Sequence, residues 1–243
     1  MRDKVEIVGV NIDNVNMDEA ASVVGEYLDM DAYSMVFTPN SEILLEAVKK
    51  RDLEEVLNSG QLVIPDGIGV VIASRFYGTP VKEKVPGVEL VMRLMEVADS
   101  RNKSVYILGG KPGVAEEAAI KLKERLAGLR IAGARDGYFN ADDEAGIIEE
   151  INGSNADILL VALGAPKQEY FIYKHRNDLK VRIAMGVGGS VDVIAGKAKR
   201  APEFYQKAGL EWFYRLLKEP RRIGRIMQLP KFIALAFFDA RFR

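Results

Sequence analysis

The chain has 243 residues, 48% of them apolar, enough to bury a substantial core in one large domain or in a domain with an appendage. It holds no cysteine and one histidine, which excludes structural disulfides, thiolate metal sites, a cysteine nucleophile and His-rich metal sites, and argues against a Ser-His-Asp triad. The formal net charge of −1 conceals two opposite parts: residues 197–243 carry 12 Lys and Arg against 4 acidic groups, whereas residues 1–196 carry 22 against 31.

The N-terminus, MRDKVEIVGV, passes from polar residues directly into a strand-like run without a signal-peptide pattern, and no stretch is long and apolar enough to span a bilayer; the expected compartment is the cytoplasm. From residue 5 to about 195, short β-branched runs alternate with helical patterns. This predicts an α/β fold, a Rossmann-like and mostly parallel sheet with helices on both faces. The predicted strands are Val5–Val10, Ser34–Thr38, Gln61–Ile64, Ser104–Leu108, Leu129–Ala132, Asp157–Ala162 and Val181–Val187. Between them lie helices such as Asn40–Leu57, where Ile43, Leu44, Ala47 and Val48 recur at helical spacing, and Val114–Leu126. Asn40-Ser41-Glu42 and Pro112-Gly113 mark helix starts, and Asp142 is the expected cap of Asp143–Ile151. Lys174 and Arg176 flank His175, which predicts an exposed helical turn there.

In an open α/β sheet, ligands bind beyond the carboxyl ends of the strands. Those ends here read Thr38-Pro39-Asn40-Ser41, Pro65-Asp66-Gly67-Ile68-Gly69, Gly109-Gly110-Lys111-Pro112-Gly113, Gly164-Ala165-Pro166-Lys167-Gln168-Glu169 and Gly186-Val187-Gly188-Gly189-Ser190-Val191-Asp192. Glycine lets backbone N–H groups approach a diphosphate, and a helix N-terminus favours its negative charge, so these ends predict a nucleotide pocket. The dinucleotide and P-loop fingerprints both fail: Val191 stands where a third glycine would follow Gly186 and Gly188, and no Gly-Lys-Ser/Thr sequence exists. NAD and P-loop nucleotide chemistry are therefore set aside.

Asp66 is the candidate general base, although a Pro-Asp-Gly sequence is equally suited to a plain turn. No acidic pair suits a metal. Asp29-Met30-Asp31 falls at a helix end on the wrong edge of the sheet, and Asp142-Asp143 reads as a cap. Without metal, leaving-group charge needs cations or helix dipoles.

After Gly196 the strand pattern ends, giving a core of residues 1–196 and a basic, aromatic helical appendage over 197–243, punctuated by Pro202, Pro220 and Pro230. Arg222 and Arg225 share a helix face and, with Arg215, are candidates to neutralise a diphosphate as a lid over the pocket. Trp212, Phe213, Tyr214, Phe232, Phe237 and Phe238 are interleaved with cations, which favours an anionic membrane surface over nucleic acid. Pro230–Phe238 is too short to cross a bilayer and predicts an interfacial helix. Exposed aromatics there also invite self-association into a homo-oligomer.

Taken in order, Thr38-Pro39-Asn40, Pro65-Asp66-Gly67-Ile68-Gly69, Gly164-x-Pro166-x-Gln168-Glu169, Gly186-Val187-Gly188-Gly189, Arg200-Ala201-Pro202 and Gly209-Leu210-Glu211-Trp212 resemble the WecG/TagA/CpsF family of bacterial glycosyltransferases over nearly the whole chain. The likeness is strongest to the members that act in wall teichoic acid synthesis. It implies transfer of N-acetylmannosamine from UDP to the 4-hydroxyl of GlcNAc on undecaprenyl diphosphate, giving a β-linked disaccharide lipid. The implied reaction is inverting and needs no metal or other cofactor, with Asp66 as base and Thr38, Asn40 and Gln168 in the pocket. Where the family often has Arg-Val-x-Gly-x-Asp-Leu, this chain has Lys84-Val85-Pro86-Gly87-Val88-Glu89-Leu90; Lys84 joins Gly109, Gly110, Gly164, Pro166, Glu169, Gly186, Gly188, Gly189 and Asp192 as an expected substrate-binding residue. The implied setting is the cytoplasmic face of the cell membrane, contacted through the appendage. The same family with ManNAc uronic acid or glucose as donor sugar, and a nonenzymatic module binding anionic lipid or nucleotide, are the alternatives.

Overall fold

The computed structural model describes residues 2–218, 224 and 227–242. Its elements begin with β1 (Lys4–Ile7), β2 (Val10–Asp13), α1 (Met17–Asp29), β3 (Ser34–Phe37), α2 (Ser41–Ala47), α3 (Arg51–Asn58), β4 (Leu62–Val63), α4 (Ile68–Phe76) and α5 (Gly87–Ser100). There follow β5 (Ser104–Gly109), α6 (Val114–Arg125), β6 (Arg130–Arg135), α7 (Glu144–Gly153), β7 (Ile158–Ala162), α8 (Lys167–Lys174), β8 (Ile183–Gly186) and α9 (Ser190–Ile194). The C-terminal part supplies α10 (Glu203–Lys207), α11 (Glu211–Lys218) and α12 (Gln228–Phe242).

Six strands form one parallel sheet in the order β4-β3-β8-β7-β5-β6. Strands β3, β5 and β8 are buried along their whole length, which is why they read as continuous apolar runs without alternation. Successive side chains still face opposite layers. Met35, Phe37, Leu108 and Val161 meet α2, α3, α4, α7 and α8, whereas Val36, Ile107, Leu160 and Met185 meet α1, α5, α6 and α9. The fold class expected from the alternation is the one observed.

The strand expected over Val5–Val10 is instead a hairpin, β1 pairing antiparallel with β2. The chain reverses at Val8 and Gly9, both at positive φ, as a two-residue hairpin turn requires. A valine in that conformation is unusual, so the turn is invisible to residue preference. At the end of β2, the fully buried Asp13 carboxylate accepts the Val63 amide (2.8 Å) and Arg2 Nε (3.1 Å), which ties the hairpin over the β4 edge of the sheet.

The helix expected over Asn40–Leu57 is two helices. Lys50 is extended at φ −131°, ψ 97°, and the apolar spacing runs through the break. Asp142 does not cap α7: it lies in a 3-10 turn, Ala141–Asp143, that Asn140 caps, its backbone N–H donating to Asp143 Oδ2 at 2.9 Å, and Asp143 stands at the start of α7. His175 is buried instead of lying on an exposed turn, because it follows Phe171 by one helical turn on the inner face of α8. Its ring stands 4.9 Å from that of Phe171, and Nε2 lies 2.9 Å from Glu144 Oε2.

The interfacial helix expected over Pro230–Phe238 is longer and has a protein-facing side. Phe232 and Ala236 of α12 are fully buried in the core layer of α2 and α4, Tyr77 Oη donates to Asp239 Oδ2 (2.7 Å), and Phe237 meets Phe76 edge-on. Gly69 makes the fit possible, since a Cβ there would lie 2.0 Å from Ser41 Oγ and 2.5 Å from Leu229 Cδ1. Among the described residues, no helix is long and apolar enough to cross a membrane.

Candidate active site

Because the strands are parallel, their carboxyl ends emerge along one edge in sheet order: Ile64–Gly67, Thr38–Asn40, Gly186–Gly188, Leu163–Pro166 and Gly109–Gly110. Thr38 is buried, and its hydroxyl donates to the Gly186 carbonyl at 3.2 Å, joining loops 148 residues apart in sequence. Asp66 follows the short β4 on a turn whose Gly67 has φ +95°. The chain then passes through α4 and returns to the same place at Gly87, the first residue of α5. A Cβ on Gly87 would stand 3.4 Å from Thr38 Oγ1 and 3.5 Å from Asp66 Oδ2, so hydroxyl and carboxylate converge over the bare backbone at the start of α5. Two of the residues named from sequence are thereby brought together.

Asn40 lies beside Gly67, its Cβ 3.8 Å from where a Gly67 Cβ would be. Its Oδ1 accepts the amides of Glu42 (2.9 Å) and Ile43 (3.2 Å) and so caps α2. Gln168 has a comparable positioning task. It is buried, its Oε1 accepts the Gly188 amide (3.0 Å), and its Nε2 donates to Glu169 Oε1 (2.8 Å). That amide holds the left-handed backbone of Gly188, at φ +47°. Glu169 is 1% exposed, and among the described residues its Oε2 has no hydrogen-bond partner. Burial pushes its carboxyl up to about 7, partly offset by the Gln168 amide and reinforced by the charge of Glu46.

The remaining glycines divide by cause. Gly109, at φ +130°, is required by packing, since a Cβ there would lie 2.4 Å from the Ala162 backbone. Gly110 donates its amide to the Ala162 carbonyl (3.0 Å) and accepts Gly137 N–H (3.0 Å). Gly164 and Gly189 have open space where a side chain would be, leaving backbone accessible beside Pro166 and at the start of α9. Asp192 lies in the first turn of α9, where its carbonyl accepts the Lys197 and Ala198 amides. Among the described residues, no group of three or more His, Asp and Glu side chains is arranged to hold a metal ion.

Lys84 points to the C-terminal part: its Nζ lies 3.0 Å from Glu211 Oε2 and 3.5 Å from the Gln206 carbonyl. Glu89 accepts Arg200 Nη2 at 2.5 Å, and the same nitrogen is 3.9 Å from Glu211 Oε1. The family resemblance marks Arg200-Ala201-Pro202 and Gly209-Leu210-Glu211-Trp212, but no residue-type rule pairs Arg200 and Glu211 with Lys84 and Glu89. The Arg215 side chain, Arg222 and Arg225 lie outside the described residues.

Residues 5–243 match the glycosyl transferase WecG/TagA/CpsF family. A Bacillus spizizenii protein is 39% identical over 207 residues, covering 85% of this chain and 80% of that protein. A Bacillus subtilis protein is 36% identical over 206 residues, covering 85% and 80%. A Staphylococcus aureus protein is 34% identical over 232 residues, covering 95% and 91%. All three are named N-acetylglucosaminyldiphosphoundecaprenol N-acetyl-beta-D-mannosaminyltransferase.

Proposed function

This chain belongs to the WecG/TagA/CpsF family of glycosyl transferases, and on that premise we propose that it transfers N-acetylmannosamine from UDP to the 4-hydroxyl of GlcNAc-diphosphoundecaprenol with inversion at the anomeric carbon. Relatives that share 34–39% of their residues and bear the name of this reaction support the donor and acceptor. The observation that carries the mechanism is the convergence of Asp66 Oδ2 and Thr38 Oγ1 over Gly87 at the carboxyl edge of the sheet.

In this reading the Asp66 carboxylate takes the proton of the acceptor hydroxyl. The freed oxygen attacks the anomeric carbon as the bond to the β-phosphate oxygen breaks on the opposite face, and UDP departs with that electron pair. Thr38 ties the β3 end to the Gly186 loop, and Gln168, by accepting the Gly188 amide, sets the course of the Gly186–Gly189 backbone beside the diphosphate. Arg215, Arg222 and Arg225 supply positive charge to the leaving group in place of a metal. The basic appendage and its exposed Phe204, Phe238 and Phe242 meet the cytoplasmic membrane surface, where the lipid acceptor resides.

General-base assistance contributes about 10²- to 10⁴-fold, so Asp66→Asn should lower acceptor-dependent UDP release by that factor with donor affinity little changed. Near wild-type turnover of the purified variant on a short-chain GlcNAc-diphospholipid would refute the assignment.

A further inference from the structure

Two contacts seat the C-terminal part against the loop that carries Asp66. On one side, Gly209, at φ +70° between α10 and α11, packs on Ile68 so closely that a Cβ there would lie 3.0 Å from Ile68 Cγ1. Ile68 is two residues past Asp66. On the other side lies the network of Lys84, Glu211, Arg200 and Glu89, whose core members flank Gly87 in sequence at three residues before and two after. Gly87 is the residue over which Asp66 and Thr38 converge.

The network is not ordinary surface ornament. The Lys84 and Glu211 side chains are only 18% and 24% exposed, and Arg200 Nε is buried with no hydrogen-bond partner among the described residues. Exposed ion pairs contribute little because water screens them, whereas a mostly buried pair leaves a poorly solvated charge when one partner is removed. The two cations and two carboxylates balance. Displacing the appendage from this seat separates Lys84 from Glu211 and Arg200 from Glu89, so the pairing favours one docked position of α10 and α11.

We infer that Lys84 and Glu211 are positioning residues for the transfer reaction: with Arg200 and Glu89 they lock α10 and α11 onto the loops on either side of Asp66, making that helix pair a fixed wall of the site. Lys84 therefore acts through Glu211, and not by touching the substrate. The inference rests on the proposed transferase reading only for its activity readout.

The test is a double-mutant cycle of Lys84→Met, Glu211→Gln and the double variant in the full chain, read in two ways. The first is the rate of thermolysin cleavage within residues 201–218, with no substrate present. The second is acceptor-dependent UDP release from UDP-N-acetylmannosamine and a short-chain GlcNAc-diphospholipid. Each single variant should speed cleavage and lower kcat/KM by about tenfold, the double variant should lose little more than either single, and the thermal midpoint of the core should stay near that of the wild type. Additive losses, with Lys84→Met still costing tenfold in the Glu211→Gln background, would overturn the inference and return Lys84 to direct substrate contact. Wild-type cleavage rates in both single variants would overturn it as well. Absence of UDP release from the wild type itself would instead refute the donor assignment, and the cleavage cycle would still decide the lock.

Discussion

Glu169 carries a cost that its neighbours offset only in part. Its carboxyl loses its proton at about 7 in the folded chain, against an ordinary value near 4.5 in the unfolded one. Between those pH values the folded state holds the additional proton, so stability falls as pH rises, by about 3 kcal/mol at the limit. Glu169→Gln removes the titration while keeping an acceptor for the Gln168 amide. The difference in thermal midpoint between the two proteins should therefore grow in favour of the variant from pH 5 to pH 7 and then level off; a constant difference would show that Glu169 titrates normally. Asp66 and Gln168 stood out in the sequence because strand-end position and a family pattern mark them. The isolation of Glu169 Oε2 did not, since it depends on which way two adjacent side chains of one helix turn. Gly109 teaches the converse. It reads as a phosphate cradle, yet the close approach of the Ala162 backbone accounts for it, and Gly109→Ala should destabilise the fold by about 1–3 kcal/mol in denaturant titration before any effect on donor affinity is considered.

At the level of elements, the buried strands were legible and their junctions were not. Continuous apolar runs identified β3, β5, β7 and β8 because both of their faces are covered. The hairpin at Val8-Gly9 and the break at Lys50 are not legible, since residue preference opposes the one and hydrophobic periodicity continues across the other. The aromatics of the terminal helix mark an apolar surface but do not reveal that the helix has two such faces. Phe232 and Ala236, four residues apart, belong to the core, while Phe238 and Phe242, also four apart, are exposed. The two faces should separate experimentally. Phe232→Ala should cost about 3–5 kcal/mol of stability, seen as a lower thermal midpoint. Phe238→Ser with Phe242→Ser should leave the midpoint nearly unchanged and weaken cosedimentation with anionic vesicles, and equal vesicle binding by that variant would remove α12 from the proposed membrane contact.

For the whole molecule, the charge split of the sequence is real but not a split between two separate bodies. The basic segment contributes α12 to a core layer and Arg200 to a network with Lys84, Glu89 and Glu211, so part of its charge is answered by the acidic core it follows. The remaining cations are what an anionic surface would meet, and raising ionic strength should release the protein from anionic vesicles without unfolding it.

The sheet order has a further consequence, for the biogenesis of the site. Among the described residues, the strand β8 lies between β3 and β7 and joins the β4-β3 pair to the β7-β5-β6 group within the sheet. It is also the last strand to leave the ribosome. Until residue 186 is available, Thr38 has no carbonyl to bond and the Gly188 amide has no Gln168 to meet. The β4-β3 and β7-β5-β6 pairings can form without β8, whereas the strand-end site cannot. The acceptance of β8 closes the sheet and completes the strand-end site in one event, long-range in sequence and correspondingly slow.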